Sequence, residues 1–219
     1  YPPFWIGLSL IPSFLGLGKF TLTLFLFKAM AAGFYIGCCK VISKLNPTAL
    51  VLFAFNPLVI IETLVNGHME IVLIFFALLA IYLNLKHKPI LSWLSFITSV
   101  SIKYMTFYLA PLLIKGKSWL RPTVWLGLIS TAAFILWYGF QPWYVLWVLP
   151  FALLLPSKSW EVRLLILLSF TALLWNLPSI SSGDFNLPHP TSRLIIYVLL
   201  PFAVLTIPFF IKSAYEKIH

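Results

Sequence analysis

Glu62, His68 and Glu70 stand close together in a chain of 219 residues that has only 5 acidic residues and 4 histidines. They fall in the segment Asn56-Pro57-Leu58-Val59-Ile60-Ile61-Glu62-Thr63-Leu64-Val65-Asn66-Gly67-His68-Met69-Glu70. An ionisable side chain within a membrane segment costs about 2.5–3.5 kcal/mol on insertion scales, so each one is a candidate functional group. Pro57 can kink a helix by freeing a carbonyl, and Gly67 permits a tight turn between antiparallel helices. Glu62, Asn66, His68 and Glu70 would then cluster at one mouth of the protein. Such a group can bind sugar hydroxyls, hold a divalent cation, or tune a proton transfer. It can equally be a set of interfacial caps on two helix ends.

Three further places carry polar or aromatic chemistry. Lys103-Tyr104 lies in an apolar stretch, far from either basic flank. Its ammonium needs an anion, for which a lipid phosphate is suitable, unless the stem snorkels to an interface. Lys28 is nearer its helix end, where snorkelling is the simpler reading. Trp143 and Tyr144, in Pro142-Trp143-Tyr144-Val145-Leu146-Trp147, can stack on sugar rings or form an aromatic belt. Arg193 follows the loop Ser181–Pro190, which holds Asp184 and His189, and it suggests an anionic ligand outside the membrane. The chain has no glycine-rich phosphate loop, no HExxH and no CxxC, and no metal site is assigned from its sequence.

The elements that must position these groups follow from composition. Apolar residues make up 61% of the chain, charged residues only 9%, and the mean hydropathy is +1.00. Soluble domains carry about a quarter charged residues, so this chain has too few to clothe a water-facing surface. The bilayer is the expected solvent. The net charge of +10 is spread in small groups between apolar runs, which argues against nucleic acid as a partner. Cys38 and Cys39 are adjacent, a poor geometry for a disulfide, and read as packing residues.

Apolar runs at roughly 20–43, 48–65, 69–86, 122–140, 143–156, 160–178 and 194–212 are marked as spans, where a crossing helix needs about 20 residues. The piece 4–17 is expected to lie in an interface. Lys40, Lys44, Lys86 and Lys88 mark the cytoplasmic side by the positive-inside rule. The stretch 89–115 also ends in basic residues, so it is expected to enter and return as a re-entrant hairpin. Its arms are 89–100 and 104–114, with Lys103 near the tip, which must be covered by protein or face water. On this topology 11 of the 15 basic residues are cytoplasmic. A single long tilted helix with later topology inverted is the alternative. The expected fold is all-α: one polytopic transmembrane helical bundle over residues 1–219, in the plasma membrane and among membrane lipids. Its start at Tyr1-Pro2-Pro3-Phe4-Trp5 suggests a fragment lacking N-terminal helices and a first large outer loop.

Five motifs in this order resemble the polytopic GT-C glycosyltransferases of prokaryotes, especially the polyprenyl-phosphate-mannose-dependent mannosyltransferase-like branch. They are Tyr1-Pro2-Pro3-Phe4-Trp5; Asn56-Pro57-Leu58 with Glu62; Asn66-Gly67-His68; Lys103-Tyr104 leading to Leu109-Ala110-Pro111-Leu112-Leu113; and Pro142-Trp143-Tyr144-Val145-Leu146-Trp147. The resemblance covers about residues 1–150 and implies a membrane enzyme. It would transfer a hexose, mannose foremost, from a polyprenyl-phosphate donor to a lipid or glycan acceptor outside the plasma membrane. The family's turn reads Asn-Gly-His-Asn-Asp, whereas Met69-Glu70 follows His68 here. No carboxylate precedes Glu62, so the resemblance places the catalytic base upstream of this chain. It also implies Lys103 and Arg193 as phosphate contacts, Glu62, His68 and Glu70 as sugar or acceptor contacts, and Trp143 and Tyr144 as stacking residues. A transporter or flippase of lipid-linked sugars is the competing class, which paired interrupted helices in two related halves would favour.

Overall fold

The structure is a computed structural model and describes residues 3–182 and 190–207. Asp184, His189, Lys212 and Lys217 lie outside the described residues, as does the end of the last marked run. Helices and turns make up the described residues, with no strand among them. Two helical stretches, Phe20–Leu45 and Lys117–Tyr138, are long and apolar enough to cross a membrane. The run marked at 48–65 is instead a broken pair, bent by 62°. The other apolar helices are shorter than a full crossing.

Helix α1 (Pro3–Leu15) leads into α2 (Phe20–Leu45), and both leave much apolar surface exposed. Asn46 ends α2 in an extended conformation, and its side-chain amide donates to the Leu153 carbonyl at 3.1 Å. Helix α3 (Pro47–Ala54) opens with proline at its first position, where the missing N–H goes unused. Asn56 then caps α4 (Pro57–Ile60) by accepting from the Leu58 and Val59 amides. Its own amide donates to Ser169 at 2.7 Å, tying the cap to a distant helix. Helix α4 widens into a π-helical segment, Ile61–Val65, a feature that recurs at functional sites.

Helix α5 (Glu70–Leu85) is the axis of the fold, with Ile71, Val72, Leu73, Ile74, Ala77 and Leu78 almost wholly buried. Gly37 of α2 lets the Phe75 ring approach, since an added Cβ would lie 2.7 Å from that ring. Helix α6 (Pro89–Ile102) returns antiparallel along α5. Ser92 donates to the Ala80 carbonyl at 2.8 Å, and Ser99 donates to the Leu73 carbonyl at 2.7 Å. Small hydroxyl residues at such a seam allow helix backbones to come close.

The chain reverses at Lys103, which is fully extended at φ −161° and ψ 130°. It runs back as a 3₁₀ helix, Tyr104–Leu109, and then α7 (Ala110–Lys115). Ser99 and Thr106 hydroxyls, 2.8 Å apart, join the two arms near the turn. Asn84 at the end of α5 donates to the Leu113 carbonyl at 3.0 Å. Lys86–Lys88 and Lys115–Lys117 therefore lie at one end of the molecule, and Lys103 lies at the other.

Helix α8 (Leu120–Tyr138) packs on the returning arm, where Gly127 makes room for the Tyr108 ring. The Tyr108 hydroxyl donates to the carbonyl of Trp147, in the 3₁₀ helix Pro142–Trp147. Short α9 (Leu149–Ala152) and α10 (Trp160–Leu173) follow. Next come α11 (Leu177–Ser182) and α12 (Pro190–Leu194), the latter extended by a π segment at Ile195–Leu199. Trp147, Phe53 and Phe151 are the largest fully buried side chains among the described residues.

Candidate functional site

Glu62 lies on the π-helical segment and is only 1% exposed. The wider turn ends with the Asn66 amide bonded to the Ile61 carbonyl at 2.8 Å. Gly67, at φ 71°, then reverses the backbone so that the His68 amide reaches the Glu62 carbonyl at 3.0 Å. A residue with a Cβ disfavours that left-handed conformation. Lys28 of α2 donates to the Val65 carbonyl at 2.9 Å, so it satisfies an acceptor at this helix end.

The turn brings the acidic and basic groups together. Asn66 donates to Glu62 Oε2 at 3.0 Å, and His68 Nε2 lies 3.1 Å from the same oxygen. On its other edge, His68 Nδ1 is 3.8 Å from Glu70 Oε2. Lys103 donates to Glu70 Oε1 at 2.8 Å. Glu70 is 1% exposed, whereas the side chains of His68 and Lys103 are 29% and 19% exposed. The carboxylates are thus deep, and the Lys103 ammonium and the His68 imidazole are the more exposed groups.

Aromatic rings wall this cluster. His68 lies over Trp143 with centroids 4.2 Å apart, and Lys103 Nζ stands 4.8 Å from the Trp147 centroid. Tyr144 and Trp147 stack at 4.2 Å with planes 24° apart. They are three residues apart on a 3₁₀ helix, whose three-residue turn eclipses such positions. Phe134 of α8 meets both edge-on. Three buried atoms here have no hydrogen-bond partner among the described residues: Glu62 Oε1, Glu70 Oε2 and Trp147 Nε1. Buried polar atoms are nearly always bonded, so two acceptors and a donor left over at one place are unusual.

The structure therefore unites Glu62, Asn66, His68, Glu70, Lys103, Trp143 and Tyr144. Two other candidates stand outside it. Tyr104, 56% exposed, lies at its edge with its ring against Phe134 at 6.5 Å. Arg193 is elsewhere, its Nε donating to the Trp175 carbonyl at 2.8 Å and its guanidinium 4.4 Å from the Trp175 ring. The expectation of Lys103 as an isolated cation is corrected, because Glu70 comes from α5 to meet it. No group of three or more His, Cys, Asp or Glu among the described residues is arranged to hold a metal ion. Trp147 and Phe134 were not singled out as site residues. Trp147 was within reach, because its i,i+3 spacing from Tyr144 predicts stacking once a 3₁₀ turn is assumed. Phe134 carries no such signal, since it is one of 20 phenylalanines.

No protein-family model, curated protein or solved structure matches the chain.

Proposed function

We propose that the chain is a multi-pass membrane glycosyltransferase, or a part of one. It takes a hexose from a polyprenyl-phosphate donor and passes it to a lipid or glycan acceptor on the extracytoplasmic side. The observation that carries the reading is that Glu62 Oε1, Glu70 Oε2 and Trp147 Nε1 lack a hydrogen-bond partner among the described residues, in a cluster that includes Trp143 packed on His68. A hexose hydroxyl donates to a carboxylate and accepts from an indole N–H. Its axial and ring C–H groups fit an aromatic face. The site thus matches sugar chemistry on three counts, with the partly exposed His68 and Lys103 at its surface and the two carboxylates beneath them.

In the transfer, the acceptor oxygen forms a bond to the anomeric carbon while the bond from that carbon to the phosphate oxygen breaks. The acceptor's proton passes to a base, and the polyprenyl phosphate departs. Glu62, Asn66, His68 and Glu70 hold the sugar or the acceptor, and Trp143 and Tyr144 form its apolar floor. Lys103 pairs directly with Glu70 and offers its remaining N–H groups to the donor phosphate. The general base is not assigned to any of these residues. The excess of lysine and arginine at the opposite end supports an extracytoplasmic position for the cluster. The chain reversal at Lys103 supports a re-entrant hairpin.

The test uses the intact protein in proteoliposomes with a polyprenyl-phosphate hexose labelled in the sugar. Glu62→Gln removes the charge and keeps the shape. Loss of a charge-assisted hydrogen bond costs about 1.5–3 kcal/mol, so transfer should fall about 10- to 100-fold. Unchanged transfer in well-folded Glu62→Gln and Glu70→Gln variants would overturn the reading. Movement of the labelled lipid across the bilayer without a new glycosidic bond would favour transport instead.

A further inference from the structure

A cavity of about 350 Å³ opens at the end of the bundle opposite Lys103. That volume is within the range of small-ligand pockets. Leu45, Ile81, Leu85, Leu112, Leu113 and Leu154 supply half of its lining residues. Asn46 and Asn84 also line it, but their amides are engaged by the Leu153 and Leu113 carbonyls. They fix the walls. Lys117 is the charged residue of the lining.

Further cations adjoin the lining residues along the chain. Lys115 and Arg121 flank Lys117 in sequence, while Lys44 and Lys86 stand 5.5 and 5.8 Å from the Tyr82 ring on the facing helices. Glu161 is the acidic side chain nearby, and Arg121 already holds it at 2.9 Å. The mouth is therefore strongly positive above an apolar interior.

We propose that this cavity binds the phosphate-bearing head end of an anionic membrane lipid. The first methylenes of the lipid chains lie against the leucines, and the phosphate faces Lys117. A soluble phosphate would leave the apolar walls wet, and a zwitterionic lipid would leave the excess cations unmatched. An anionic lipid satisfies both surfaces. Basic pockets at the cytoplasmic side of membrane helices are suited to such head groups. The proposal rests on the chain lying in a bilayer and is independent of sugar transfer.

Lipid retention, not transfer, is the readout. The intact, delipidated protein is titrated in detergent with phosphatidylglycerol or with phosphatidylcholine of the same chains, and bound lipid is counted by native mass spectrometry. Phosphatidylglycerol should bind about 10-fold or more tightly than phosphatidylcholine, with millimolar inorganic phosphate failing to displace it. Lys117→Gln should reduce that preference about five-fold, from about 1 kcal/mol per lysine near a lipid head group. Leu85→Trp should fill the cavity mouth and weaken binding of both lipids. Both positions are exposed, so the unfolding temperature should stay at the wild-type value. Equal retention of the two lipids would overturn the proposal. So would wild-type binding in both variants, which marks diffuse surface charge, or displacement by inorganic phosphate, which marks a soluble-anion site.

Discussion

The ammonium of Lys103 is held from two sides, by Glu70 Oε1 at 2.8 Å and by the Trp147 ring at 4.8 Å. Glu70 is almost wholly buried, and Lys103 is the cation it faces. Removing one member of a buried pair strands the other and costs about 3–5 kcal/mol, whereas removing both is often close to neutral. Lys103→Met should therefore destabilise the protein by about that amount in denaturant unfolding. Lys103→Met with Glu70→Gln should recover most of the loss. If the double variant is as unstable as the single one, the pair is not the source of the effect. A transfer assay separates the roles further, because the stable double variant should still lose sugar transfer about 10-fold or more. Gly67 makes a smaller, local demand. Its φ of 71° places the His68 imidazole against Glu62, and Gly67→Ala should cost about 1 kcal/mol in the same unfolding experiment.

At the scale of the element, the decisive contacts are serines that bond to a neighbour's backbone. Ser99 is fully buried and serves both the Leu73 carbonyl and the Thr106 hydroxyl. Ser99→Val would leave both without their partner, at about 1–3 kcal/mol for a buried group left unbonded. The variant should lower the unfolding temperature, while Thr98→Val, a half-buried position of the same helix whose hydroxyl bonds only to the Leu94 carbonyl of its own helix, should not. The sequence made the long apolar runs readable, because α2, α5 and α8 follow from uninterrupted hydropathy. It also made the chain reversal readable, through lysines at both ends of one apolar stretch. It marked Pro57 as a point where the run at 48–65 can kink, and the run bends there by 62°, but it did not show the cap that sets the break. Phe55 and Asn56 interrupt that run with a cap, and caps depend on side-chain bonds that hydropathy does not record. Nor did it show that Arg193 faces Trp175. That contact is tertiary, and no spacing rule links the two positions. Glu62, His68 and Glu70 were legible because a tight turn brings neighbours in sequence together. Lys103 joined them only through the antiparallel packing of α5 and α6.

For the whole molecule, the division of charge sets the orientation. Lys86–Lys88 and Lys115–Arg121 share one end, where Asn84 is bonded to the Leu113 carbonyl. The cluster around Glu70 and Lys103 lies at the other end, beside the turn that opens with Gln141 and Pro142. Positive residues are retained in the cytoplasm during insertion, so the first end should face inward. That orientation makes a prediction about three positions at once. Single cysteines are introduced as His87→Cys, Lys117→Cys and Gln141→Cys, in a background where Cys38 and Cys39 are replaced by alanine. A membrane-impermeant maleimide is then applied to intact cells and to inverted vesicles. Positions 87 and 117 should label only in inverted vesicles, and position 141 only in intact cells. The shared behaviour of 87 and 117 reports the hairpin, because a single crossing between them would put them on opposite faces. The opposite behaviour of 141 reports the span of α8, which is long and apolar enough for one crossing. Labelling of 87 and 117 from different sides would remove the re-entrant hairpin. Labelling of 141 together with 117 would place the acidic cluster in the cytoplasm, where an extracytoplasmic sugar transfer is ruled out.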